Sequence, residues 1–109
     1  KDGQGGLQLC PGKDEKGRAT QWTDVPPIGG VITCNIGDML MRWSDDKLLS
    51  NLHRVRMPKP QEYLGPRYSI AYFAQANMDT LLAGPEGKYE PMTGHDYIQM
   101  RLGANFGKK

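Results

Sequence analysis

The sequence predicts a mainly β fold, an antiparallel sandwich or barrel with one helix near its C-terminus. Three observations lead there. Fourteen glycines and eight prolines cut the 109 residues into short pieces, which favours strands joined by turns over long helices. Several of those pieces alternate apolar and polar residues or are rich in β-branched ones. Only one segment, at Thr93, pairs a helix-start signal with an apolar periodic run.

The elements follow in order. Residues 1–6 form a glycine-rich turn. Leu7-Gln8-Leu9 alternates as a half-buried strand does. Residues 11–20 are polar and charged, with Gly12 and Gly17, and read as a hairpin loop. Gln21-Trp22-Thr23-Asp24-Val25 resumes the alternation and stops at Pro26-Pro27. Gly29-Gly30 makes a turn, and Val31-Ile32-Thr33-Cys34-Asn35-Ile36 is a β-branched, buried strand. Gly37-Asp38 breaks it, with Asp38 capping one helical turn over 39–43. Ser44-Asp45-Asp46-Lys47 is a solvated polar turn. Residues 49–55 are the next strand, with Asn51, His53 and Val55 on one face and Ser50, Leu52 and Arg54 on the other. Pro58, Pro60, Gly65 and Pro66 make 57–66 a loop. Residues 68–74 are a further strand, in which Arg67, Ser69, Ala71 and Phe73 share a face. Residues 78–91 are irregular. Thr93-x-x-Asp96 is a capping box with Asp in place of Glu or Gln, opening a helix over 93–102 that Gly103 ends. A jelly roll takes about eight strands. Five or so are visible, which suits a partial domain, as does a first residue that is Lys1 and not Met.

Composition narrows the function classes. Fourteen basic and twelve acidic residues are interspersed, giving a net charge of +2. Apart from the Lys108-Lys109 tail there is no basic stripe of the kind nucleic acid requires. No run approaches the apolar length of a membrane span. Cys10 and Cys34 lie far apart without a CxxC pattern. They read as free buried thiols of a reducing compartment, with a disulfide left open. The absence of an Asn-x-Ser/Thr sequon also favours an intracellular, cytoplasmic setting.

Two spots carry chemistry. Arg67 and Ser69 are two residues apart and so share a strand face. An arginine fork with one hydroxyl donor can anchor the carboxylate of a small diacid, although a plain strand arginine fits the two residues as well. His53 stands fourteen positions earlier, in Leu52-His53-Arg54-Val55. It reads either as a core or edge histidine or as one ligand of a two-histidine, one-carboxylate iron site, which leaves open positions for oxygen and co-substrate. Duller readings serve elsewhere. Trp22 and Trp43 pack, Met39 and Met41 fill core or pocket, and the glycines of 2–6 lack the strand–loop–helix context of a nucleotide site.

Taken in order, Asn35-Ile36-Gly37-Asp38-Met39-Leu40, Arg42-Trp43-Ser44, Leu52-His53-Arg54-Val55 and Arg67-Tyr68-Ser69-Ile70 resemble the C-terminal half of the catalytic domain of iron- and 2-oxoglutarate-dependent oxygenases, in their isopenicillin-N-synthase-like group. Gly5-Gly6-Leu7-Gln8, Trp22 and Val25-Pro26 look like that group's strand after its first metal-ligand motif, and residues 97–102 like its closing helix. The resemblance implies a double-stranded β-helix, or jelly roll, of which this is the C-terminal part with a C-terminal α-helix. It divides the chain into a partial dioxygenase domain over 1–76 and an extension over 77–109. It implies His53 as the distal iron ligand, and Arg67 and Ser69 as the pair that binds the far carboxylate of 2-oxoglutarate. It implies Fe(II) as cofactor, with ascorbate a further one it admits, and O2 and a small organic molecule as reaction partners. Hydroxylation is the usual outcome, with succinate and CO2 formed from the keto acid.

One departure stands out. The family's His-x-Asp, which supplies the other two iron ligands, occurs nowhere in the chain, and His95-Asp96 cannot replace it because adjacent helical residues point apart. The isolated chain is therefore expected to bind iron poorly, to lack turnover and to be poorly soluble or molten. Two other functions stay open: a non-catalytic jelly-roll binding module or relic, and an iron and O2 oxidase of the same group that does not use 2-oxoglutarate.

Overall fold

The structure, a computed structural model, describes residues 4–10, 12 and 21–107. Its elements are β1 (Leu7–Cys10), β2 (Thr23–Asp24), α1 (Asp38–Trp43), β3 (Leu52–Val55), β4 (Leu81–Leu82), β5 (Met92–Thr93) and α2 (Gly94–Phe106). They fall into two compact units. The first comprises Lys1–Asn35 and Asn51–Tyr72, the second Ile36–Ser50 and Phe73–Lys109.

The first unit holds an antiparallel sheet of order β2-β1-β3. Gln8 lies opposite both Asp24 and Arg54, and Leu9 opposite Thr23 and His53. Period-two alternation then sorts the side chains. On one face the Gln8 amide donates to Asp24 (2.9 Å) and accepts from Arg54 Nε (2.8 Å), while the Arg54 guanidinium lies 4.0 Å from the Trp22 ring centre. The other face carries Leu7, Leu9, Thr23, His53 and Val55. Cys10 is the buried apolar residue here, its thiol donating to the Gly12 carbonyl. The predicted hairpin loop over 11–20 lies outside the described residues, Gly12 excepted.

Two expected strands are absent. Residues 31–36 and 68–74 have no ladder partner among the described residues. A segment outside a ladder lacks the cross-strand side-chain pairs that cover a sheet face. Ile32, Ile70 and Tyr72 are accordingly 87%, 98% and 91% exposed, and Cys34, expected to be buried, is exposed and free.

The second unit is built around Leu82, Tyr97 and Asp45, all buried. β4 pairs antiparallel with β5, so the span read as irregular contains a short strand. α2 opens as the capping signal requires. Thr93 Oγ1 accepts from the Asp96 amide (3.1 Å) and donates to its carboxylate (2.8 Å). Gly103 does not end it. The Gly103 carbonyl accepts from the Gly107 amide (2.8 Å), carrying the helix on to Phe106. Asp38 does not cap α1 either. Gly37 occupies the N-cap without a side-chain bond. The Asp38 carboxylate instead takes the Ser50 hydroxyl and Arg101, each at 2.6 Å.

The Asp45-Asp46 pair corrects the solvated-turn reading most sharply. Both residues have positive φ, 51° and 65°, a region that Asp tolerates better than most residues. Asp45 is only 6% exposed, and its carboxylate accepts from the backbone amides of Glu86 (2.6 Å) and Lys88 (3.2 Å). It lies so close over Gly84 that a Cβ there would collide with it. Asp46 meets Lys88 and the Tyr89 hydroxyl, and the Lys88 hydrogen bond, then that of Tyr89, lowers its carboxyl below the ordinary range.

Candidate functional site

One sequence-predicted anchor pairs with β1, and the other bonds to the residues that lead into it. His53 enters from β3 opposite Leu9 and is exposed on the Leu7–Leu9 face. Arg67 arrives from the far end of the 57–66 loop and is half-buried. Its Nε donates to the Gly5 carbonyl at 2.9 Å, across sixty-two residues of chain. Ser69 is exposed. Neither it nor His53 lines the cleft in which Arg67 sits.

That cleft, of about 300 Å³, is lined by Gly5, Gly6, Arg56, Glu62, Tyr63 and Arg67, among others. Its walls are held by charge. Arg56 and Glu62 form a two-pronged pair, both bonds 2.8 Å, the fork-to-fork geometry that makes arginine–carboxylate pairs strong. Glu62 also accepts from the Lys59 amide (2.8 Å). Arg56, followed by that amide, pulls the Glu62 carboxyl down to about 2, and Glu62 in turn raises the Arg56 guanidinium. The Arg56 amide donates to the Gly6 carbonyl (2.9 Å), prolonging the β1–β3 ladder to the cleft. Tyr63 folds its ring directly onto Gly65.

Sequence reasoning missed Gly5, Gly6, Arg56 and Glu62. The glycines read as a turn, and an Arg and a Glu six residues apart across a proline loop match no periodic pattern. Only the ladder and the loop closure bring them to Arg67.

The chemistry available is the holding of anions. A half-buried guanidinium with one nitrogen already bonded to backbone is directional as well as charged. A family model described as the 2OG-Fe(II) oxygenase superfamily matches residues 1–76. The chain belongs to that superfamily. Its members are oxidoreductases whose cofactor is Fe(II) and whose co-substrate is 2-oxoglutarate. The chain is 34% identical to the 2-oxoglutarate-Fe(II) type oxidoreductase hxnY of Emericella nidulans, over 81% of this chain and 26% of that protein. It is 42% identical to the proline hydroxylase buaE of Petromyces alliaceus, over 65% and 26% respectively. The structure is similar to that of a full-length Neurospora crassa protein crystallised in complex with alpha-KG and 5-formyluracil. There the TM-score is 0.75 and the identity 37%, over 94% of this chain and 34% of that one. The chain thus spans roughly a quarter to a third of the length of the proteins it matches.

The described residues meet the family's two small molecules unequally. The half-buried Arg67 guanidinium is a group of the kind that pairs with carboxylates. The described residues include two imidazoles, His53 and His95. Among the described residues no group of three or more His, Cys, Asp or Glu side chains is gathered to hold a metal ion. No helix among them is long and apolar enough to cross a membrane.

Proposed function

We propose that this chain is the C-terminal part of the jelly-roll domain of an Fe(II)- and 2-oxoglutarate-dependent dioxygenase that hydroxylates a small organic molecule. The catalytic share is 1–76, and 77–109 is an extension carrying α2. The observation that carries this reading is the tie of both anchors to the segment 5–10, His53 through the β1–β3 ladder and Arg67 through its bond to Gly5, just ahead of β1. In this reading His53 is an iron ligand, and Arg67 with Ser69 receives the far carboxylate of 2-oxoglutarate. Bound Fe(II) and the keto acid would supply oxygen activation. The balance is one C–H bond, O2 and 2-oxoglutarate converted to C–OH, succinate and CO2. The chain's own residues orient the diacid: Arg67 neutralises its charge, and the Arg56–Glu62 pair holds the loop that delivers Arg67. The exposed thiol of Cys34 and the lack of a sequon support a cytoplasmic protein, and the interspersed charges without a basic stripe support one with no nucleic-acid or membrane partner.

The test is succinate formation by the complete enzyme over a panel of small organic substrates. Iron-dependent succinate is expected, abolished in His53→Ala. In Arg67→Ala the KM for 2-oxoglutarate should rise about ten- to a hundredfold, as the loss of a charge-assisted pair implies. Absence of succinate with every substrate would overturn the reading. Oxygen consumption that needs no 2-oxoglutarate would replace it with the oxidase alternative.

A further inference from the structure

We propose that Gly6 is a positioning residue for Arg67, setting which edge of the guanidinium the co-substrate meets. The proposal rests on the reading of Arg67 as the 2-oxoglutarate anchor. A guanidinium offers a carboxylate two forked edges, Nε with one Nη, or the two Nη together. The Gly5 carbonyl accepts from Nε at 2.9 Å. The Nε-containing edge is therefore turned toward β1, and an incoming carboxylate is received on the Nη–Nη edge.

The direction of that carbonyl is decided at the next residue. The Gly5 carbonyl belongs to the rigid peptide plane that ends at the Gly6 nitrogen. The plane's tilt relative to β1 is the φ of Gly6. That angle is +98°, a conformation that glycine reaches freely and L side chains rarely adopt. The other side of Gly6 is already held, since its carbonyl accepts from the Arg56 amide at 2.9 Å. A side chain would act in two ways. It would drive φ negative, swinging the Gly5 carbonyl off Arg67 Nε. Its Cβ would also sit 3.3 Å from the Arg56 carbonyl oxygen and 4.0 Å from Arg67 Nε. Gly6 touches no reacting atom and acts only through the arginine.

The experiment uses the complete enzyme loaded with Zn(II), which binds without turnover. Two keto acids are titrated calorimetrically: 2-oxoglutarate, and pyruvate, which lacks the far carboxylate. Gly6→Ala is expected to raise the Kd for 2-oxoglutarate about tenfold, the effect of one mis-set hydrogen bond to a charged group, and to leave pyruvate unchanged. Equal weakening of both acids would mean general damage, and unchanged 2-oxoglutarate binding would mean no positioning; either overturns the proposal. Arg67→Ala serves as the separate check. If it leaves 2-oxoglutarate binding intact, the anchor reading itself fails. Should Gly6→Ala not fold, nitrogen NMR of the native zinc enzyme decides. The Arg67 Nε–H, assigned by its disappearance in Arg67→Lys, should stay protected from exchange and unshifted as 2-oxoglutarate is added. A large shift of that proton on binding would show Nε transferring to the ligand and would overturn the proposal.

Discussion

The two units are stabilised in opposite ways. In the first, order comes from a backbone ladder and a row of polar side chains, Asp24–Gln8–Arg54, with Cys10 the one fully enclosed apolar side chain among its described residues. Its long apolar side chains Ile32, Tyr68, Ile70 and Tyr72 face solvent. In the second, a buried carboxylate, a helix cap and two enclosed side chains, Leu82 and Tyr97, complete a small local structure. The contrast teaches that His53 and Arg67, the candidate anchors, lie in the unit whose long apolar side chains are mostly exposed, while Leu82, Tyr97 and Asp45 are enclosed in the other. The unit with the candidate site leaves long apolar side chains exposed, whereas the unit with the helix encloses the Asp45 carboxylate against the Glu86 and Lys88 amides.

The contrast breaks first at Asp45. Replacing it with alanine leaves the Glu86 and Lys88 amides without their acceptor and removes a residue suited to positive φ. A loss of about 3 kcal/mol is expected from urea unfolding followed by α2 helicity. Asp45→Asn should cost about 1 kcal/mol, since an amide oxygen still accepts and Asn tolerates the backbone. Equal losses for both would mean that charge, not geometry, holds the staple.

Ile70 sharpens the comparison next. In the isolated 109-residue chain Ile70→Ala should shift stability by less than about 0.5 kcal/mol, as for any exposed site. In the complete enzyme, if the strand face is covered there, the same change should cost about 2–4 kcal/mol. Parallel denaturation of the two proteins measures the difference directly.

Thr93→Ala should lower α2 stability by about 1 kcal/mol through the lost N-cap, read as reduced helicity at a given urea concentration. The smallest effect is acid sensitivity of the cleft. Glu62 titrates near 4.5 when unfolded and at about 2 when folded. Its contribution is therefore fully present above 4.5 and is lost as pH falls toward 2. Glu62→Gln should remove part of the downward slope of the unfolding midpoint across that window. The effect should be modest, because the pair is open to solvent.

Much of this was legible in the residues themselves. Alternation placed Leu7 and Leu9 on one face and Gln8 on the other, because a strand's period of two is a covalent property of the chain. Thr93 and Asp96 announced the start of α2, because a cap is satisfied by neighbours three residues away. The ordered set Asn35-Ile36-Gly37-Asp38-Met39-Leu40, Arg42-Trp43-Ser44, Leu52-His53-Arg54-Val55 and Arg67-Tyr68-Ser69-Ile70 pointed to the family. The rest was decided by the folded structure, mostly where partners are distant in sequence. The strands expected over 31–36 and 68–74 needed ladder partners that the described residues do not provide. Asp45 looked solvated because the amides it accepts from lie forty-one and forty-three residues away. Gly103 continues its helix because a backbone bond outweighs glycine's intrinsic cost of about 1 kcal/mol. Arg67 is aimed by a carbonyl sixty-two residues upstream, a distance over which local pattern carries no information and only chain closure can act.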